Sequence, residues 1–83
     1  MMNKLEPKII KRKYWDQEQQ RFLFSYIFFE DIPDEYKDEF RKWLGGQTCP
    51  VIEGCETQTA IYWYDWIRWY RFKTGKARYL IFD

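Results

Sequence analysis

Nineteen of the chain's 83 residues are aromatic, and seven of them crowd into the run of eleven from Tyr62 to Phe72, YWYDWIRWYRF. A chain this short folds as a single domain, 1–83, and folding hides only about 60 to 65% of the surface its open form exposes, so stability has to come from dense packing. Each buried Phe, Tyr or Trp withdraws about 150 to 250 Å² from water. Most of the rings are therefore needed inside, and the question the run poses is which of them are left outside.

The periodicity predicts the elements. Lys8–Trp15, KIIKRKYW, mixes β-branched and aromatic residues with heavy basic content, which suits an edge strand. Asp16–Gln19 is a polar break of hairpin length. In Gln20–Glu30, Phe22, Phe24, Tyr26 and Phe28 line one face and Leu23, Ser25, Ile27 and Phe29 the other, the pattern of a strand covered on both sides. The segment DIPDEYKDEFRKWLGG reads as a helix, with Pro33, Asp34 and Glu35 suited to its first turn and Gly45 and Gly46 to its stop. Ile32, Tyr36, Phe40, Trp43 and Leu44 form its apolar stripe. On the opposite side Asp38 is placed to pair with Arg41 or Lys42.

A loop rich in turn residues follows, and then the aromatic run. One long strand through it would set Asp65 and Arg71 among Ile61, Trp63, Ile67 and Trp69. A strand to Tyr64 followed by a helix capped by Asp65 buries fewer charges and puts Asp65, Arg68 and Arg71 on one side, so it is the preferred reading. Ile61 and Trp63 then face the sheet, while Trp66, Ile67 and Tyr70 fix the helix. Gly75 ends that helix, and Ala77–Asp83, ARYLIFD, closes the chain as a strand. The order ββαβαβ predicts an α+β fold, a small mainly antiparallel sheet with two helices packed on it.

The chemistry the chain lacks is informative. It has no histidine, no phosphate-binding glycine loop and one serine, Ser25, in mid-strand, so catalysis is not expected. Cys49 and Cys55 are too far apart for a C-x-x-C redox pair and have no histidine to complete a zinc site. No metal and no cofactor are expected. Nor does any stretch reach the ~20 apolar residues of a membrane span, which predicts a cytoplasmic protein with reduced thiols; a Cys49–Cys55 disulfide is the alternative in an oxidising setting.

The net charge of +1 hides a division into three: residues 1–29 carry +3, residues 30–56 carry −5 and residues 57–83 carry +3. Cations interleave with rings at Lys8, Lys11, Arg12, Lys13, Tyr14 and Trp15. They do so again from Arg68 to Arg78, the mixture that single-strand nucleic-acid binders use.

FRKWLGGQTCPVIEG followed by YWYDWIRWY resembles a pattern in small phage- and plasmid-encoded proteins: an aromatic helix end, G-Q-T, a Pro-containing apolar loop, then an aromatic strand ending in Y-D that runs into a helix. The resemblance covers Phe40–Tyr70 and implies a mobile-element origin, with no activity, ligand or catalytic residue attached. The expected function is accordingly non-enzymatic: docking on a host or element-encoded protein, as an inhibitor or regulator. Single-stranded nucleic-acid binding is the alternative. Arg68, Trp69, Arg71, Phe72 and Lys73 are the expected contact residues, with Asp34, Glu35 and Asp38 as a second, acidic surface. Trp and Arg are the types that carry most binding energy at interfaces.

Overall fold

The structure, a computed structural model, describes residues 9–75. Strands β1 (Arg12–Asp16), β2 (Arg21–Phe28) and β3 (Ala60–Tyr62) form an antiparallel sheet in the order β1-β2-β3, with helices α1 (Asp34–Leu44) and α2 (Trp63–Lys73). The fold is α+β, with the order ββαβα among the described residues. The closing strand expected at Ala77–Asp83 lies outside them, as does Lys8.

The hairpin between β1 and β2 turns through Gln17–Gln20, one residue later than the polar break suggests. Asp16 organises it: its carboxylate accepts the Glu18 N–H at 3.2 Å and its carbonyl accepts the Gln20 N–H at 2.8 Å, with Gln20 in the left-handed region at φ 56°. A 3₁₀ turn at Phe29–Asp31 then leads to Pro33, which precedes the first turn of α1. The helix stops at Gly45, whose φ of 66° suits glycine and whose N–H donates to the Arg41 carbonyl at 3.0 Å.

Packing divides the sheet into two faces. Ile27 of β2 and Ile61 of β3 point to the helices, joining Ile32, Phe40, Leu44, Trp66, Ile67, Trp69 and Tyr70. Tyr26, Phe28 and Ala60 point the other way, where Cys49 and Ile52 of the long loop cover them. The loop is tied to the sheet by hydrogen bonds from the Cys49 N–H to the Ala60 carbonyl at 2.9 Å and from the Phe29 N–H to the Thr59 carbonyl at 2.8 Å.

The helix–helix interface is aromatic. Trp66, Trp69 and Tyr70, at i, i+3 and i+4 on α2, meet Tyr36 and Phe40 of α1, with ring centroids 5.3 to 6.2 Å apart. Trp66 and Tyr70 are buried as expected; Trp69, expected at the surface, is not, at 3% exposure. The strand-to-helix split holds, but the helix begins at Trp63, with Tyr62 at its N-cap. Asp65 is thus no cap: it sits in the first turn, where the helix dipole favours an acid, and is itself buried.

Candidate functional site: the uncovered half of the sheet

Two of the five residues expected to form the contact surface on α2 are withdrawn from it. Trp69 is packed against Tyr36 and Phe40. The Arg68 side chain is 12% exposed, lies over the Trp43 and Tyr64 rings at 5.0 and 5.6 Å, and meets the Asp65 carboxylate at 3.4 Å. The reason is shared: α1 crosses α2 on the side that an isolated helix would show to solvent, and Trp43 at its end closes over Arg68. Arg71, Phe72 and Lys73 are exposed, though Lys73 is tied to Glu39 of α1 at 2.8 Å. On the acidic surface Asp34, Glu35 and Asp38 are exposed, with Lys37 on Asp34 at 3.0 Å and Arg41 on Asp38 at 3.5 Å, the second of these the expected pair.

Among the described residues Ile10, Val51 and Phe72 are exposed singly, whereas three exposed apolar side chains gather on the hairpin. Trp15 is 40% exposed, Phe22 55% and Leu23 41%. Their common position follows from a β-bulge. Tyr14 pairs with Phe24, but the register shifts so that the next residue, Trp15, pairs with Phe22. Side chains alternate along a strand, and directly paired residues share a face. Phe22 is therefore turned away from the face of Phe24, Tyr26 and Phe28 with which the simple alternation groups it, and onto the helix-bearing face with Leu23, Ser25 and Ile27.

The ring contacts agree with this. Phe24 stacks on Tyr14 at 5.0 Å and meets Tyr62 edge-on at 5.3 Å, whereas Phe22 meets Trp15 edge-on at 4.9 Å and lies under the Lys13 ammonium at 5.4 Å. The two-sided cover expected along all of β2 holds only for Tyr26–Phe28, because α2 packs on β2 and β3 at their Ile27 and Ile61 end. Beyond that end none of the described helices covers the sheet.

The charge there is positive. Lys11 lies over the Trp63 ring at 5.0 Å, on the same side of the sheet as Lys13, and Arg21 at the start of β2 donates to the Gln19 side chain at 2.8 Å. Among the described residues, the ion pairs join acids and bases of the two helices and engage none of Lys11, Arg12, Lys13 or Arg21. The interleaved rings and cations of Lys11–Trp15 were visible in the sequence; Phe22 and Leu23 were not, because a bulge leaves no signature in an unbroken apolar run.

Two other places have less to offer. A pocket of about 240 Å³ lies between Phe29, Glu30, Arg41, Leu44, Thr48, Thr59 and Ile61. Its charged groups are engaged: Glu30 accepts the Thr59 N–H at 3.1 Å, and Arg41 lies 4.9 Å over Phe29 while pairing with Asp38. It is also smaller than the roughly 300 Å³ at which ligand pockets begin. Cys49 and Cys55 are free thiols, and burial with the nearby Asp65 charge pushes the Cys49 thiol up to about 12, the opposite of nucleophile activation. Among the described residues, no three of His, Cys, Asp and Glu are grouped to hold a metal ion, and no helix is long and apolar enough to cross a membrane.

Comparison of the chain with protein-family models, with curated proteins and with solved structures finds no match.

Proposed function

We propose that this chain is a non-enzymatic binding protein that docks on another protein through the uncovered face of its β1–β2 hairpin. The observation that carries the reading is the joint exposure of Trp15, Phe22 and Leu23 beside Lys13. A small fold that hides Trp66, Trp69 and Tyr70 has the means to hide these too, and large apolar groups rimmed by polar ones mark contact sites. The raised Cys49 pKa supports the non-enzymatic part. A phage or mobile-element origin and a host or element-encoded partner belong to the same proposal and rest on the G-Q-T resemblance; a cytoplasmic setting is proposed with them.

Protein is favoured over single-stranded nucleic acid by how the rings are held. Bases stack on free ring faces, but Phe22 has the Lys13 ammonium over one face and the Trp15 ring edge-to-face with it. Affinity purification from the natural host with the native chain and with Trp15→Ala/Phe22→Ala tests the reading. A stoichiometric protein held by the first and lost by the second is expected. Repeated recovery of no partner by the native chain overturns it, as does saturable binding of a labelled single-stranded oligonucleotide that weakens with salt.

A further inference from the structure

The geometry points to an amphipathic α-helix of the partner as the occupant of the uncovered face, apolar along one side and acidic beside that stripe. This rests on the docking reading above and specifies what docks. The space beside α2 is, among the described residues, an unfinished helix layer: α2 lies on the Ile27 and Ile61 end of the sheet, and the same face continues through Ser25, Leu23, Phe22, Trp15 and Lys13 with no described helix over it. One further helix, about 10 to 12 Å across with its side chains, fills such a layer. Trp15, Phe22 and Leu23 supply its apolar bed.

Charge selects among helices. Lys11 and Lys13 border the bed on the β1 side, each over a ring and neither in an ion pair among the described residues. An acidic flank meets them; a basic one is repelled. A second copy of this chain is disfavoured for the same reason, since the face it would present, Lys11, Lys13, Trp15, Phe22, Leu23 and Ser25, carries no acid to meet Lys11 and Lys13. Strand addition to β1 is disfavoured by the bulge and by the consecutive cations Arg12 and Lys13, devices that guard a sheet edge.

Two synthetic helical peptides with the same Leu stripe, one flanked by Glu and the other by Lys, test this by NMR titration of the full chain. The Glu peptide is expected to bind saturably and to shift the Trp15 indole N–H and the Leu23 and Ser25 amides. Lys11→Glu/Lys13→Glu, checked for unchanged far-ultraviolet circular dichroism, is expected to weaken that binding by at least about tenfold and to take up the Lys peptide instead. Equal binding of both peptides, binding of neither, or shifts confined to the two helices overturns the acidic-helix assignment. A host partner captured through Trp15 and Phe22 but indifferent to the Lys11 and Lys13 reversal overturns this assignment alone and leaves docking standing. No capture by the native chain removes docking itself.

Discussion

Asp65 and Arg68 face each other one turn apart on α2, carboxylate to guanidinium 3.4 Å, with each side chain only 12% exposed. Both charges are held where water can scarcely reach them, and each is the other's compensation. Removing one partner of a buried pair leaves a charge stranded, which costs about 3 to 5 kcal/mol. Arg68→Ala and Asp65→Ala are each expected to fall near the lower end of that range in urea denaturation. The joint change to Leu at Asp65 and Met at Arg68 is expected to cost less than either alone. A loss under about 0.5 kcal/mol for Arg68→Ala, the value for an exposed site, contradicts the packing of Arg68 between Trp43 and Tyr64.

Truncation separates the tryptophans of the core from the one on the hairpin. Trp66 and Trp69 are 2% and 3% exposed, so Trp66→Ala and Trp69→Ala are each expected to cost about 3 to 5 kcal/mol. Their effects share Tyr36 and Phe40 as neighbours, and the double change is expected to be non-additive. Trp15→Ala is expected to cost no more than about 1 kcal/mol, most of it the edge contact with Phe22. A stability profile in which Trp69 is neutral contradicts the placement of α1.

Alkaline pH is expected to weaken the fold through Cys49. Its thiol, ordinarily at 9.0, is pushed up to about 12 by burial first and by the Asp65 charge second. Between those values the unfolded chain has lost the proton and the folded chain keeps it, so stability falls as pH rises, by up to about 1.4 kcal/mol per unit. Tyr36, raised mainly by burial and next by Glu35, adds to the fall above pH 10. Denaturation curves from pH 8 to 11 are expected to show a shallower decline for Cys49→Ala than for the native chain; parallel declines contradict the assignment. At neutral pH Cys49→Ser, which buries a hydroxyl, is expected to be worse tolerated than Cys55→Ser at the half-buried site.

The stop of α1 depends on a left-handed residue. At Gly45, φ 66°, an added Cβ has open space around it but an unfavourable backbone. Gly45→Ala is expected to cost about 1 to 2 kcal/mol by thermal denaturation and Gly45→Asn less, since Asn tolerates this region. Equal effects of the two contradict a backbone origin.

The element types were readable because they depend on local spacing. The Ile32-Tyr36-Phe40-Leu44 stripe, the Gly45 stop, the Asp38–Arg41 pair and the switch from strand to helix inside Tyr62–Phe72 all lie within a few turns of one chain segment. Asp65 is a good cap by type, yet the cap is Tyr62, three residues earlier: in the fold the turn out of the short β3 comes first, and the acid is drawn inward to meet Arg68.

By itself, then, the sequence determined an α+β chain packed through its aromatics, because composition and periodicity are properties of the chain. Only the tertiary structure decided which rings face water. Trp69 and Arg68 were buried by α1, a segment more than twenty residues away, and Phe22 was turned outward by a one-residue register shift against β1. A helix shows three or four sides and a strand two, and which of them is covered is set by whatever packs there from elsewhere in the chain.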